Sequence, residues 1–334
     1  MTASLAAIEA RRRSDAAPAE TRAERSCSVV VLGKPTDTNC ALVAAFGELG
    51  QRARLVPGND VSPVARGDIA LGRVDVLPTL DGIEPGLRQL SQLERLGARV
   101  LNRPTALFAA HDKLSTALFL GRAGVAQPRT AHVRDVTVPS FPPPYVVKPR
   151  FGSWGQEVHL SENEDDLRAL LERLRDETWF RRHGALVQSL VEPTGRDLRV
   201  VVAAGRVVGA IERRARHGEW RTNVSLGGSR RPVSPPLAAR ALALRAVAAL
   251  GIDLAGVDIA GDADGRMRVL EVNGAVDFTS EYGADVFTAT ASALLRRADI
   301  RAAASRRRDV PVRFEAAGDG ARDEYDAGCL GAVG

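Results

Sequence analysis

The stretch that decides the fold reads GVDIAGDADGRMRVLEVN and spans residues 256–273. Two apolar runs flank its polar segment, Gly261–Gly265, and this arrangement predicts a β-hairpin. Asp258 interrupts the first run and Glu271 the second, and a carboxylate in a buried strand is costly unless a cation compensates it. Glu271 and Asn273 are two residues apart, so in a strand both side chains face the same side.

Three oxygen-bearing side chains on one hairpin suggest a cation site. Carboxylate and amide oxygens from Asp258, Glu271 and Asn273 suit Mg²⁺ better than zinc, which prefers nitrogen and sulfur ligands. The alternative is a solvated hairpin whose polar residues simply alternate along the strands.

Lysine is rare in this chain. Of 46 lysines and arginines, only Lys34, Lys113 and Lys148 are lysines, a bias typical of a GC-rich genome. A compact ammonium suits phosphate oxygens, so the retained lysines are candidates for a nucleotide site, although for Lys34 chance retention is favoured. Lys148 ends an apolar strand and precedes the loop Phe151–Gly155, whose backbone N–H groups could surround a phosphate.

A third group of polar residues, two arginines and an asparagine, lies in the chain between the Lys148 loop and the hairpin. Arg199, Arg221 and Asn223 could stabilise the charge on a transferring phosphoryl group. For Arg213 and Arg214 the favoured interpretation is a strand with solvated arginines.

Several function classes are excluded by missing motifs. No GxGxxG follows the first strand, and GxxxxGK[ST], GxSxG and HExxH are absent. Cys27, Cys40 and Cys329 form no CxxC pair, which excludes structural zinc and redox chemistry. The net charge is +5, but the arginines are interleaved with acidic residues, which argues against nucleic-acid binding. No apolar run approaches a membrane span or a signal peptide, so no membrane partner and a cytoplasmic location are expected.

The length of 334 residues favours about two domains, and the composition is that of a globular protein. Residues 28–103 read as a small, parallel, doubly wound α/β unit that begins with a β-α-β pattern. Leu107–Leu120 reads as one helix. Residues 1–27 are predicted to form a disordered extension and residues 301–334 a flexible tail.

Together these segments resemble the RimK-type branch of the ATP-grasp ligases, from about Leu101 to Phe287. The residues that carry the resemblance are Asn102–Pro104, His111–Leu114, Val147–Pro149, Val187–Gln188, Asp197–Arg199, Ile211–Arg214, Arg221–Asn223 with Gly227–Gly228, Gly256–Asp258 and Glu271–Asn273.

The resemblance implies an α/β ATP-grasp fold. An N-terminal pre-ATP-grasp domain (28–103) would be followed by the linker and lid subdomain (104–190) and by a C-terminal α+β catalytic subdomain (191–300). ATP would lie between the lid and the C-terminal subdomain, with Gln188–Leu190 as the adenine hinge. The implied ATP-binding positions are Lys113, Lys148, Gly152, Ser153, Trp154, Gly155, Gln188, Ser189, Leu190, Asp197, Arg221, Thr222 and Asn223.

The same resemblance implies a catalytic centre that holds Mg²⁺. Two ions are expected, with Mn²⁺ able to replace them, and the implied metal ligands are Asp258, Glu271 and Asn273. The implied catalytic residues on the phosphoryl and acyl side are Arg199, Arg221 and Asn223.

The implied reaction is carboxylate–amine ligation, in which a substrate carboxylate forms an acyl phosphate and an amine displaces the phosphate. Addition of glutamate or a related amino acid is expected, as in an alpha-L-glutamate ligase. The acceptor would be a small metabolite or coenzyme or a carrier protein, and a homo-oligomer is left open. The alternatives are a LysX-like ligase that loads the C-terminal glutamate of a small acidic carrier, and a non-catalytic nucleotide-binding protein.

Two departures from the family pattern bear on these alternatives. Ser189 stands where an acidic residue is common, so that ribose recognition would weaken or pass to Glu192. The segment Gly274–Phe278 replaces the Ser-Pro-Gly of ribosomal-protein-modifying members, and both this segment and Gly152–Gly155 look more like the LysX subgroup.

Overall fold

The structure is a computed structural model that describes residues 27–191, 195–262 and 264–308. The extension expected at residues 1–27 lies outside the described residues except for Cys27, and so does the expected tail beyond Arg308. Within the described residues, three sheets with their helices form an α/β fold.

The N-terminal sheet is parallel, with strand order β2-β1-β3-β4, as the doubly wound pattern predicts. Val29–Leu32 at its centre is fully buried, which explains the uninterrupted apolar run. Its elements are β1 (Ser28–Gly33), α1 (Asp37–Glu48), β2 (Arg52–Val56), β3 (Ile69–Arg73), α2 (Leu87–Arg95) and β4 (Arg99–Leu101).

The prediction of one helix over Leu107–Leu120 is wrong. Two helices, α3 (Pro104–His111) and α4 (Lys113–Arg122), are separated by Asp112, whose backbone is extended at φ −86° and ψ 100°. The carboxylate of Asp112 accepts the N–H of Leu114 at 3.2 Å and caps the second helix. The break places Lys113 at the first position of α4.

The lid subdomain is an antiparallel sheet with strand order β5-β8-β6-β7, and two helices cover one of its faces. Tyr145, Leu167 and Phe180 are completely or almost completely buried between the sheet and the helices. The elements are β5 (Thr130–Val133), β6 (Tyr145–Pro149), β7 (His159–Ser161), α5 (Glu164–Leu174), α6 (Thr178–His183) and β8 (Ala185–Ser189).

The C-terminal subdomain is an antiparallel sheet with strand order β11-β10-β9-β12-β13. Its strands are β9 (Arg196–Ala203), β10 (Arg206–Arg214), β11 (Ser229–Pro232), β12 (Leu254–Gly261) and β13 (Met267–Asn273). The last two strands are the predicted hairpin, which is confirmed, with a β-bulge after Asp258. Helix α7 (Leu237–Leu250) packs on one face through Ala243 and Val247, against Val200 and Val257.

The last described helix, α8 (Val286–Arg308), crosses the predicted start of the tail at residue 301. Arg301 donates to the Val100 carbonyl at 2.9 Å and pairs with buried Asp253 at 2.8 Å, so this turn is anchored to the folded domains. In the described part of the chain, no helix is both long and apolar enough to cross a membrane.

Candidate active site

The hairpin presents its polar side chains on one face. Asp258 lies directly opposite Glu271 on β13 and directly opposite Arg199 on β9. Asn273 occupies the next position on the same face of β13. Because directly paired residues in an antiparallel sheet point to the same face, these four side chains line one surface.

Asp258 is almost completely buried and is held by two arginines. Arg199 donates to both of its oxygens at 2.7 Å, and Arg213 Nη2 lies 3.0 Å from Oδ2. Burial by itself would raise the pKa of Asp258, but the two guanidinium groups outweigh it and hold the pKa well below its usual range. The aspartate therefore stays ionised in a buried position.

The interpretation of Arg213 as a solvated arginine is wrong. Its side chain is buried and makes a bidentate pair with Asp197, at 2.8 and 2.5 Å. The Thr222 hydroxyl donates to the same aspartate at 2.7 Å. Arg214 points to the opposite face, is half exposed and pairs with Glu212, so the solvated interpretation holds for Arg214 only.

The alternation of side chains along β10 could have predicted that Arg213 and Arg214 face opposite sides of the sheet. Arg213 is two residues from Ile211, and in a strand these side chains share a face. Ile211 is buried and opposite Arg199, which was already a candidate residue. The missing information was the strand pairing, which sequence does not give.

Lys113, at the start of α4, and Lys148, on β6, converge on β13. Lys113 Nζ lies 3.3 Å from Glu271 Oε1 and also donates to the Gly152 carbonyl. Lys148 Nζ donates to the Leu270 carbonyl at 3.4 Å. Burial lowers the pKa of Lys148 to about 8, which an anion bound beside it would counteract.

Lys34 lies outside this cluster. Its side chain is 63% exposed and pairs with Glu84 of the N-terminal domain. The preference for chance retention at Lys34 therefore agrees with its position.

The loop Phe151–Gly155 is held by the segment around Arg221 and Asn223. Arg221 Nη1 donates to the carbonyls of Gly155 and Val158, at 3.4 and 3.3 Å. Gly155 has φ +74°, and a Cβ at this position would lie 3.1 Å from the Asn223 side chain, so a larger residue is disfavoured there. Arg221 is also paired with Glu219 at 2.9 Å, so its charge is partly compensated.

The expected adenine hinge lies at the end of β8. The Gln188 amide donates to the Thr130 hydroxyl at 2.8 Å, and the Leu190 N–H donates to the Pro144 carbonyl at 3.0 Å. The Ser189 hydroxyl accepts the N–H of Arg129 at 3.1 Å. Glu192, the alternative ribose contact, lies outside the described residues.

All the predicted nucleotide, phosphoryl and metal residues line one cleft between the lid and the C-terminal sheet. The cleft has an empty volume of about 1140 Å³, including space open to solvent. Arg213 and Trp220 also line it, although neither was predicted as a site residue.

A second cavity adjoins the first. Its far wall comes from the N-terminal domain and from the segment after β13, with Asp37, Asp75 and Asp277 among the lining residues. Burial raises the pKa of Asp75 to about 6. The residues that line both cavities are Ser153, Trp154, Arg199, Arg213, Asn223 and Asn273.

The donor set of the hairpin fits a magnesium ion. Asn273 Nδ2 is buried without a hydrogen-bond partner, and rotation of the amide can present its oxygen instead. Asp258 accepts hydrogen bonds from arginines, but a carboxylate has about four acceptor positions, which leaves room for a cation. Among residues 27–191, 195–262 and 264–308, no group of three or more His, Cys, Asp or Glu side chains could hold a metal. A three-donor site here therefore depends on the Asn273 amide.

Comparison with curated proteins finds glutamate ligases. The chain is 36% identical over 155 residues to a probable alpha-L-glutamate ligase of Thioalkalivibrio sulfidiphilus, covering 44% of this chain and 50% of that protein. It is 32% identical over 185 residues to the tetrahydromethanopterin:alpha-L-glutamate ligase of Methanosarcina acetivorans, covering 49% and 56%. It is 33% identical over 168 residues to the ribosomal protein bS6--L-glutamate ligase of Escherichia fergusonii, covering 46% and 55%. The matches thus span about half the length of these relatives.

Solved structures with the same fold cover most of the chain. The ATP-grasp ligase PsnB, complexed with a minimal precursor, matches with a TM-score of 0.59 at 20% identity, over 81% of this chain and 99% of that one. The D-alanine--D-alanine ligase of Bacillus anthracis, complexed with ATP, matches with a TM-score of 0.62 at 17% identity, over 84% and 99%. These similarities establish the ATP-grasp fold.

The family model of the RimK-like ATP-grasp domain matches residues 110–294, more than half of the chain. That range contains both buried lysines, the four arginines that line the cleft and the whole hairpin. The chain therefore belongs to the RimK-like ATP-grasp family.

Proposed function

We propose that this protein is an ATP-dependent carboxylate–amine ligase that adds glutamate or a related amino acid to a carboxylate-bearing acceptor. The observation that carries the proposal is the wall shared by the two cavities. It bears Arg199, Arg213, Asn223 and Asn273, so a group that passes from one cavity to the other meets the guanidinium groups of buried Arg213 and partly buried Arg199. Phosphoryl transfer depends mainly on such positioned positive charge.

In this proposal the first cavity binds ATP. Lys113 and Lys148 contact its phosphates, and their burial strengthens the attraction because little water screens it. The loop Gly152–Gly155 covers the phosphates, and the segment Gln188–Leu190 borders the adenine.

Mg²⁺ would be held by Asp258, Glu271 and Asn273. When bound, it would neutralise charge on the phosphate oxygens. The number of ions and the replacement of Mg²⁺ by Mn²⁺ stay predictions.

The acyl and amine substrates would occupy the second cavity. The substrate carboxylate faces Arg199 and Arg213 and attacks the γ-phosphorus of ATP, so that ADP leaves and an acyl phosphate forms. The amine attacks the acyl carbon, phosphate leaves, and the amine loses a proton. Asp37, Asp75 and Asp277 on the far wall attract an ammonium group, which favours binding of the amine on that side.

The acceptor is proposed only by class, as a small metabolite or coenzyme or a protein carboxylate. The named relatives include one that acts on tetrahydromethanopterin and one that acts on ribosomal protein bS6. A LysX-like ligase is the second candidate, because the segment Gly274–Phe278, which resembles that subgroup, lines the proposed substrate cavity with four of its residues.

The test measures ATP-dependent hydroxamate formation. Hydroxylamine is a small nucleophile that intercepts an acyl phosphate, so the amine need not be known. The protein is incubated with ATP, Mg²⁺ and separate acids, including glutamate, N-acetylglutamate and acidic peptides that end in glutamate. We expect a hydroxamate with at least one acid, loss of the product in Lys148→Ala, and normal product in Lys34→Ala, the matched lysine outside the cleft. Nucleotide binding without hydroxamate or ADP release from any acid would favour the non-catalytic alternative.

A further inference from the structure

The segment that connects β3 to α2, residues 74–86, belongs to the N-terminal domain and contacts the lid. Near its base, Val76 and Ile83 form an antiparallel bridge. The Leu77 N–H donates to the Gly82 carbonyl at 2.9 Å, and the Leu80 N–H donates to the Leu77 carbonyl at 3.0 Å. The tip of this connection is therefore a tight turn, and we call residues 77–82 the clasp.

The side chain of Leu80 projects from the N-terminal domain into the apolar core of the lid. Its side chain is 6% exposed and belongs to the same apolar cluster as Val133, Tyr145 and Val147. Leu80 also has φ +59°, a conformation that costs a leucine free energy and persists only where the surroundings enforce it. The strained backbone places an apolar side chain of one domain inside another.

Asp81 makes the polar half of the clasp. Its carboxylate contacts His183 Nε2 at 2.8 Å and pairs with Arg182, both at the end of α6 in the lid. The Asp81 side chain is only 18% exposed, so water screens these contacts incompletely.

The clasp also contacts the loop that borders the proposed nucleotide site. The His183 ring packs edge-on against Phe151, with ring centroids 5.0 Å apart. A Cβ on Gly152 would lie 3.2 Å from Leu80 Cδ2, so the clasp touches the backbone where the loop begins. The Gly152 carbonyl in turn accepts a hydrogen bond from Lys113.

The base of the connection is fixed to the N-terminal domain. The Asp75 N–H donates to Glu84 Oε2 at 3.0 Å, and the Glu84 N–H donates to the Asp75 carbonyl at 2.7 Å. Glu84 is also paired with Lys34. A rigid base and a buried tip make the connection a brace between the two domains.

We propose that Leu80 and Asp81 are positioning residues for the nucleotide site, and that they hold the lid and the loop Phe151–Gly155 in the arrangement that binds phosphates. This inference rests on the proposed nucleotide site. Neither residue touches the nucleotide. A lid released from the clasp samples other positions, and the apparent affinity falls in proportion to the population that remains competent to bind.

The experiment compares Leu80→Ala and Asp81→Ala with the wild-type protein. Calorimetric titration gives the dissociation constant for ADP in the presence of Mg²⁺, and amide hydrogen exchange follows the loop Phe151–Gly155 in the nucleotide-free protein. We expect affinity to fall about three- to ten-fold in each variant, with faster exchange in this loop. Glu172→Ala is the matched control for Asp81, because Glu172 forms an ion pair within the lid alone. Leu96→Ala is the control for Leu80, because Leu96 is 58% exposed.

The outcomes are distinguishable from a failure of the proposed function. Absence of ADP and ATP binding by the wild-type protein would overturn the proposed nucleotide site and this inference with it. Wild-type binding that is unchanged in both clasp variants, even with a lowered Tm, would overturn this inference alone and leave the clasp as a structural contact. If Leu80→Ala fails to fold, Asp81→Ala decides, because it removes only a partly exposed ion pair.

Discussion

Arg213 and Asp258 lie on β10 and β12, two strands separated by β9, and their side chains meet across β9 with Nη2 3.0 Å from Oδ2. Arg213 also holds Asp197 in a bidentate pair, while Arg199 holds Asp258. Two arginines and two aspartates thus form one largely buried network, and both arginines line the two cavities. The network fixes the orientation of Asp258 before any cation or phosphate binds.

Arg213→Lys should lower ligation by about 100-fold, because an ammonium cannot make the bidentate pair with Asp197 and also reach Asp258. Steady-state ADP release measures the loss. Arg214→Lys is the matched control, since Arg214 lies on the opposite face of the strand, and it should keep near-normal activity. Equal activity in the two variants would contradict the role assigned to Arg213.

Glu271→Gln and Asn273→Ala should each lower ligation at saturating Mg²⁺ by at least about 100-fold and leave the Tm nearly unchanged, because both side chains are partly exposed in the cleft. Asp258→Asn should also lose activity, but it leaves the guanidinium groups of Arg199 and Arg213 poorly compensated and should cost about 3 kcal/mol of stability. Activity assays and thermal melts separate these effects. Turnover within a few fold of wild type in all three variants would rule out the metal assignment.

Lys148→Arg should be severely impaired although the charge is kept, because the larger planar guanidinium does not fit where a compact ammonium is buried. The measurement is the dissociation constant for ADP together with the rate of ADP release. Lys34→Arg, at an exposed lysine outside the cleft, serves as the control and should behave like wild type. An unchanged dissociation constant and an unchanged rate of ADP release in Lys148→Arg would show that the site does not require a lysine at this position.

His111 should make the protein less stable in mild acid. Burial lowers its pKa from 6.5 to about 4, and its Nε2 lies 2.9 Å from the Val74 carbonyl. Between pH 6.5 and 4, His111 is protonated in the unfolded chain but neutral in the folded chain. The stability that neutral His111 contributes is therefore lost as pH falls through that window. His111→Gln should reduce the fall in Tm across this range by roughly 5 °C. Exposed His217→Gln should not, and identical Tm profiles in both variants would contradict this assignment.

Trp154→Ala should uncouple ATP use from amide formation. Trp154 is 57% exposed at φ +62° and lines both cavities, so it is not part of the lid core. A hydrophobic cover over the substrates would exclude water from the acyl phosphate, whose hydrolysis competes with ligation. Phosphate release should exceed amide product by a few fold in the variant. One-to-one stoichiometry with a lowered Tm would instead indicate a structural role.

The sequence by itself determined the elements whose pattern is local. The hairpin of residues 256–273 follows from two apolar runs and a polar turn, and the parallel N-terminal unit from short apolar strands that alternate with helices. The rarity of lysine singled out Lys113 and Lys148, and both line the cleft.

Tertiary structure alone decided the partners of these residues. The alternation along β10 puts Arg213 and Arg214 on opposite faces, but only the pairing of β10 with β9 determines which of those faces lies at the cleft. At the break between α3 and α4, the Asp112 carboxylate pairs at 2.6 Å with Arg150, 38 residues away. Leu80 packs in the apolar core of the lid, against residues that are more than 50 positions away along the chain. Such contacts arise from burial and charge pairing between remote segments, and no local periodicity encodes them.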